Sequence, residues 1–133
     1  IGVHRERQEV HRRIKARVVR MFAEGWITEV EKLLAEHDPP WGSTASQSIG
    51  YQRIAKALRE GTDPYMEADK IQAQNRALAR SQLVWSRKLP IEWYAPDEKE
   101  RVEDRIGEAL KAAAEGKPLP PADPELLARK RNV

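Results

Sequence analysis

The 133-residue sequence contains no cysteine, a single phenylalanine and no apolar run of the about 18 residues that a membrane span needs. Without cysteine there are no disulfides, thiolate metal sites or cysteine nucleophiles, which is typical of a reducing compartment. The N-terminus also lacks the charged-then-apolar pattern of a secretion signal. We therefore expect a cytoplasmic protein without a membrane partner.

Motifs for common chemistries are also missing. The sequence has neither GxxxxGK[ST] nor GxGxxG, so it cannot cradle a diphosphate on the amides of a glycine-rich loop. The three histidines, His4, His11 and His37, lack the neighbouring ligands of a metal site. A catalytic set of Ser43, His37 and Asp38 can be written down, but its spacing does not distinguish it from chance. We predict no catalytic and no metal-ligating residue in this chain.

Positive charge is concentrated near the N-terminus. The net charge is only +3, yet residues 1–20 carry seven basic side chains against two glutamates. Such a stripe fits either a polyanionic partner such as RNA or a solvated helix face, and charge alone leaves both open. The basic residues are Arg5, Arg7, Arg12, Arg13, Lys15, Arg17 and Arg20.

Apolar residues at spacings of three and four predict a mostly helical chain. A capping box at Thr28 and Glu31 predicts a helix start, and Gly61 a helix end. Prolines and a glycine in residues 38–43 predict a loop, and residues 117–121 predict a semi-rigid linker. The predicted helices span about 5–24, 28–37, 44–60, 64–88, 97–115 and 124–130.

One segment, 91–94, has the β-branched and aromatic composition of a short strand, and no second strand is evident in the sequence. An isolated strand leaves its backbone groups unpaired, so we expect it to join a sheet supplied by sequence outside this chain. The predicted fold is all-α, a bundle of five or six helices with one lone strand. Because the chain begins at Ile1 inside an ordered-looking pattern, we expect it to be a fragment.

Two groups of residues suggest a binding surface. Arg76, Arg80 and Arg87 share one side of the longest predicted helix, with Trp85 close by as a stacking surface for a base. The alternative is a solvated face with one buried tryptophan. Gly50, between Ile49 and Tyr51 inside a helical pattern, is expected to permit a close approach, either of a ligand or of another helix.

These segments, in order and spacing, resemble the C-terminal half of the tRNA dimethylallyltransferases. Residues 1–35 are similar to the family pattern IGLxRxREELxxRIxxRVxxMxxxGLxxEVxxLL. Residues 47–53 are similar to a QAIGYKE-like segment, residues 75–87 to a TRxxAKRQxTWFR-like helix, and 91–94 to a closing strand that contains tryptophan. The resemblance covers residues 1–95. Residues 96–133, a charged helix, a proline-rich linker and a short tail helix, are predicted to lie outside the shared pattern.

The resemblance implies a Mg-dependent transfer of a dimethylallyl group from its diphosphate to N6 of adenine 37 in tRNA. It places the phosphate loop and the catalytic residues in an N-terminal P-loop α/β domain, which is missing here and whose sheet the strand would join. The chain alone is therefore expected to bind no cofactor and to be inactive. By position, Arg7 matches a diphosphate-binding arginine. The residues matched to segments that bind the tRNA anticodon stem-loop are Gln47, Ser48, Ile49, Gly50, Tyr51, Gln52, Arg76, Arg80, Gln82, Trp85 and Arg87.

The sequence departs from the family pattern at four positions within these segments. Gln52 and Ser81 stand where the family has basic residues, Val84 replaces a threonine and Ser86 an aromatic residue or leucine. Each lost cation removes a phosphate contact, which is expected to weaken tRNA binding and its salt dependence. The alternative function is a non-enzymatic helical RNA-binding or adaptor module derived from the same family.

Overall fold

A computed structural model describes residues 1–36 and 47–129. The chain divides into two compact units, which we name the helical unit, residues 10–80, and the strand unit, residues 1–9 with the described residues from 81 onward. Among the described residues no helix is both long enough and apolar enough to cross a membrane.

The described residues form six α-helices and two short strands, so the predicted all-α class is confirmed. A 3-10 helix at Pro64–Glu67 precedes α4. In chain order the elements are β1 (Gly2–Val3), α1 (Arg7–Ala23), α2 (Trp26–Glu36), α3 (Tyr51–Glu60), α4 (Ala68–Ser86), β2 (Trp93–Tyr94), α5 (Lys99–Ala114) and α6 (Pro124–Ala128).

The core of the helical unit forms where the apolar sides of α1, α2, α3 and α4 meet. Val30, Ile54 and Ile71 are its largest fully buried side chains. The single phenylalanine, Phe22, packs edge-on against Trp26, with ring centroids 5.5 Å apart. The remaining members of the buried cluster are Val18 and Ala55. The three- and four-residue spacing seen in the sequence thus identifies the buried side of α1.

Local signals locate some helix ends well and others poorly. The prediction that Gly61 ends α3 is confirmed, since it adopts a left-handed φ of 67°. The start predicted at Thr28 is wrong, because α2 already begins at Trp26. Gly25, with φ 96°, occupies the turn just before α2, and its carbonyl accepts a hydrogen bond from the Glu29 amide at 3.0 Å. Thr28 therefore lies inside the first turn and does not cap the helix.

The strand prediction needs one correction. Residues 93–94 are a strand, but not a lone one, because β2 pairs in parallel with β1 of this same chain. Gly2 lies opposite Trp93 and Val3 opposite Tyr94. Close packing explains the glycine, since a Cβ on Gly2 would lie 2.8 Å from side-chain atoms of Ile91 and Trp93. Two-residue strands carry too little periodicity to be detected from sequence, and that is why β1 was missed.

Candidate functional site

The predicted binding residues fall in both units. Residues 47–52, Arg76 and Arg80 belong to the helical unit, whereas Arg7, Gln82, Trp85 and Arg87 belong to the strand unit. His37, Asp38 and Ser43, considered above as a catalytic set, lie outside the described residues, as do the predicted loop 38–43 and the first residues of the helix predicted at 44–60.

Gly50 lies directly against the indole of Trp26. The sequence pattern predicted a position inside a helix, but Gly50 immediately precedes α3, with φ 97° and ψ −51°. A Cβ added there would lie 2.1 Å from the Trp26 ring, so only glycine fits. The sequence left open whether a ligand or another helix approaches Gly50 closely. The structure shows the approach of a helix, α2, through Trp26.

Tyr51 anchors the start of α3 to α2. Its hydroxyl donates to Glu29 Oε1 at 3.0 Å, and its ring meets that of Trp26 edge-on with centroids 5.6 Å apart. Burial, together with the neighbouring Glu29 carboxylate, raises the pKa of the Tyr51 hydroxyl. The neighbours Gln47, Ser48 and Gln52 are exposed, while Ile49 is half-buried against the core. The exposed polar side chains of this segment therefore flank Gly50 and Tyr51, which pack against α2.

The second half of α4 presents an unusual mixture of side chains to solvent. Trp85 is 66% exposed, so the alternative of one buried tryptophan is wrong. Arg80, Gln82 and Arg87 are exposed, and Arg76 is half-buried. Ile71, Leu78 and Trp85 recur every seven residues along α4, but of these three only Ile71 is buried, since Leu78 is 46% exposed. An exposed indole among cationic and amide side chains can stack on a base while guanidinium groups contact phosphates.

The departures from the family pattern have visible consequences in this helix. The Ser86 hydroxyl donates to the Leu83 carbonyl at 2.8 Å and is thus used within α4. Val84 is exposed and offers no polar atom, and Ser81 is exposed without a positive charge. In the second half of α4 the remaining cation is that of Arg80, and Arg87 and Lys88 follow the helix directly.

Arg53 follows Gln52 directly along the chain, and its cation is engaged within the helical unit. Its guanidinium donates to Glu67 Oε2 at 2.8 Å and to Gln74 Oε1 at 2.7 Å. Lys70 also donates to Glu67, at 2.6 Å. Hydrogen bonds from Lys70 and then Arg53 hold the pKa of Glu67 below its ordinary value. Arg53 thus joins α3 to the start of α4, and its charge is partly neutralised there.

Glu92, next to β2, is a buried carboxylate that sequence reasoning missed. It is 5% exposed and accepts from Arg105 Nε and from the Asp123 amide, each at 2.8 Å. Arg105 also donates to the carbonyls of Pro120 and Pro121, at 3.0 and 3.2 Å. The hydrogen bond from Arg105 lowers the pKa of Glu92. Arg105 and the segment 120–123 are therefore joined to Glu92, next to β2, by charged hydrogen bonds. These contacts connect residues that are far apart along the chain, so local sequence patterns do not reveal them.

A second charged contact holds Arg129, the last described residue. Glu98 accepts from the Ala95 amide at 2.6 Å, from Arg129 Nη2 at 3.0 Å and also from Arg101. These donors, Arg129 first, lower the pKa of Glu98 from its ordinary 4.5 to about 2. Leu126 of α6, 2% exposed, supplies the apolar part of the same attachment.

The Glu98 contact predicts a pH dependence of stability. Because the folded pKa of Glu98 is depressed, its stabilising effect is complete above pH 4.5 and is lost as the pH falls towards 2. We expect wild type to have the higher Tm at pH 6, and the difference from Glu98→Gln, which mimics the protonated acid, to shrink between pH 5 and pH 2. Calorimetric scans of both proteins across this range measure it. A difference that stays constant contradicts the assignment.

The Mg²⁺ ion implied by the resemblance has no candidate ligand set in the part of the chain that the structure describes. No group of three or more carboxylate or imidazole side chains lies close enough to hold an ion there. Mg²⁺ prefers several oxygen ligands in octahedral geometry. The described residues do not fit that requirement, so no step of the chemistry is assigned to a metal held by them.

Within the described residues, the fold and surface define a mostly helical protein that presents cations and one exposed tryptophan, and the sequence contains no glycine-rich phosphate loop. The chain belongs to the IPP transferase family, which matches residues 1–89. It is 41% identical over 81 residues to a tRNA dimethylallyltransferase of Rhodopirellula baltica, covering 61% of this chain and 24% of that protein. It is 42% identical over 96 residues to the protein of that name in Geobacter sulfurreducens, covering 70% and 30%.

A third relative, the tRNA dimethylallyltransferase of a Nocardioides strain, is 35% identical over 117 residues, covering 87% of this chain and 37% of that protein. An alignment of that length includes part of residues 96–133. The chain thus spans between 24% and 37% of the length of these three relatives. No solved structure matches the chain significantly.

Proposed function

We propose that this chain is the C-terminal, tRNA-facing part of a tRNA dimethylallyltransferase that modifies N6 of adenine 37. Family membership and the names of its relatives support the reaction class. The observation that carries the RNA-facing role is Trp85, which remains 66% exposed on a helix bearing Arg80. Exposing so large an apolar side chain is costly in water, and a base stacked on it removes that cost.

The proposed reaction forms a bond between N6 of the adenine and the first carbon of the dimethylallyl group. The bond from that carbon to the diphosphate oxygen breaks, and N6 gives up a proton to a base, which the resemblance places in the N-terminal domain. The chain's own contribution is to bind and orient. Arg7, exposed in the first turn of α1, is proposed to hold the diphosphate, and the polar side chains of residues 47–52 to contact tRNA. Since the sequence contains no glycine-rich phosphate loop, the 133 residues alone are expected not to transfer the group.

A gel-shift titration with an anticodon stem-loop tests the RNA-facing role. We expect Arg80→Ala to bind more weakly and to lower the slope of log K against log salt by about 0.7 to 0.9 per lost phosphate contact. Arg76→Ala is expected to act in the same direction. Lys56→Ala, which removes an exposed cation from α3, serves as the matched control. Equal and weak binding by all four proteins contradicts the proposal.

The alternative, a non-enzymatic RNA-binding or adaptor module, predicts the same stem-loop binding. The coding sequence upstream of Ile1 distinguishes the two, because the enzyme requires a GxxxxGK[ST] loop there and the module does not. If that loop is present, transfer of labelled dimethylallyl to tRNA by the full-length protein completes the test.

A further inference from the structure

Three arginines lie on one side of α1, at spacings of four and three residues. They are Arg13, Arg17 and Arg20, and all three side chains are exposed. Residues at these spacings lie one above another on a helix, so the guanidinium groups form a stripe that runs about 10 Å along the axis. The sequence left open whether the positive charge near the N-terminus attracts a polyanion or is a solvated helix face.

Carboxylates neutralise this arginine stripe only weakly. Glu24, at its end, lies 3.9 Å from Arg20, and the two side chains are 67% and 68% exposed, respectively. An exposed ion pair of this kind contributes little to stability and is screened by salt, so it leaves Arg20 available to another anion. Among the described residues no hydrogen bond or ion pair engages Arg17. The middle of the stripe is therefore an exposed cation that no carboxylate of the described chain neutralises.

The stripe borders the segment 47–52, whose polar side chains are proposed to contact tRNA. Arg17 and Ile49 line the same small cavity, of about 100 Å³, within the helical unit. Asn75 of α4 lines it too, and Arg76 follows directly along that helix. Arg17 thus lies where α1 meets two of the elements that carry predicted RNA-binding residues. An RNA that binds these two elements comes within reach of its guanidinium group.

We propose that Arg17 binds a phosphate of the RNA backbone and that the arginine stripe of α1 adds a second contact surface to those of Trp85 and Arg80. The inference deepens the proposed function and rests on it for the nature of the polyanion. A guanidinium group can donate two parallel hydrogen bonds to phosphate oxygens, which suits arginine to such a contact. Phosphates carry no base identity, so Arg17 contributes to affinity and orientation and not to the choice of sequence.

Titration of a labelled anticodon stem-loop, followed by fluorescence anisotropy at several salt concentrations, tests the proposal. Arg17→Gln keeps much of the aliphatic stem but removes the charge. We expect a Kd about three- to tenfold weaker at 0.1 M salt, and a slope of log K against log salt lower by about 0.7 to 0.9. Lys15→Gln is the matched control, because it removes the same charge from an exposed side chain of the same helix. Residues two apart do not share a side of a helix, so we expect it to bind within about twofold of wild type.

Arg17→Lys keeps a positive charge at this position and is expected to retain the salt slope of wild type. If Arg17→Gln and Lys15→Gln weaken binding equally, only the total charge of α1 matters and the proposal is overturned. It is also overturned if Arg17→Gln binds as wild type does, or if Arg17→Lys loses as much of the slope as Arg17→Gln. Because Arg17 is exposed, we expect every variant to keep its fold, which circular dichroism checks.

Arg80→Ala in the same titration separates this inference from the proposed function. If wild type binds and Arg80→Ala weakens binding while Arg17→Gln does not, the contact at Arg17 is wrong and the proposed function stands. If wild type does not bind the stem-loop, both are wrong. Weaker binding by Arg17→Gln and by Arg80→Ala, with Lys15→Gln unchanged, supports both.

Discussion

Gly50→Ala is expected to destabilise the helical unit by about 3 kcal/mol or more. An added Cβ would lie 2.1 Å from the Trp26 ring, and the backbone φ of 97° is one that L side chains rarely adopt. Overpacking a filled core costs about 1–3 kcal/mol, and a strained backbone conformation about 1–3 kcal/mol more. Urea denaturation followed by far-UV circular dichroism measures the change in the free energy of unfolding.

Gly61→Ala is the matched control for the Gly50 variant. Gly61 also has a positive φ, 67°, but an added Cβ there meets no atom within 4 Å. Gly61→Ala is therefore expected to lower the free energy of unfolding only by the strain of a left-handed backbone conformation, about 1–2 kcal/mol. If the two variants lose equal stability, contact with Trp26 is not what requires glycine at position 50. A Trp26→Leu change made together with Gly50→Ala is expected to recover part of the packing loss, since the smaller side chain leaves room for the methyl group.

Trp85→Ala is expected to weaken binding of the anticodon stem-loop by about tenfold or more. Stacking of a base on an aromatic side chain is worth about 1–3 kcal/mol, and about 1.4 kcal/mol corresponds to a factor of ten. Because the side chain is 66% exposed, its removal is expected to change the stability of the protein little. Fluorescence anisotropy of a labelled stem-loop gives the Kd, and thermal denaturation checks the fold.

Two variants make the Trp85 experiment specific. Trp85→Phe keeps an aromatic face and is expected to retain most of the affinity. Leu110→Ala removes an apolar side chain that is also 66% exposed in the strand unit, but on α5, and is expected to leave binding unchanged. If Leu110→Ala weakens binding as much as Trp85→Ala, the effect is not due to stacking at Trp85.

Much of the fold was predictable because its signals are local. Gly61 ends α3, and Asp63 followed by Pro64 opens the next helical stretch, with the Asp63 carboxylate accepting the Tyr65 amide at 2.9 Å. Side chains three and four residues apart, such as Val18 and Phe22, share the buried side of α1. Each of these signals depends on residues within about one helical turn, which a sequence displays directly.

The pairings between distant residues were not predictable in the same way. Three pairings join residues whose separation along the chain follows no period. They are Gly2 with Trp93, Glu92 with Arg105, and Arg129 with Glu98. Glutamate and arginine are mostly exposed in proteins, so nothing in the sequence distinguishes Glu92 from its many exposed counterparts. The sequence therefore predicted the strand unit only in part.

The sequence by itself determined the all-α class, the family and the helices that carry Arg80 and Trp85, since periodicity, caps and motif spacing are properties of neighbouring residues. Only the tertiary structure decided what Gly50 and Trp85 do. Trp26 fills the space beside the glycine, and the tryptophan remains exposed where a core position was the alternative. Burial and close approach depend on which distant side chains meet, and that is fixed by the packing of the whole chain.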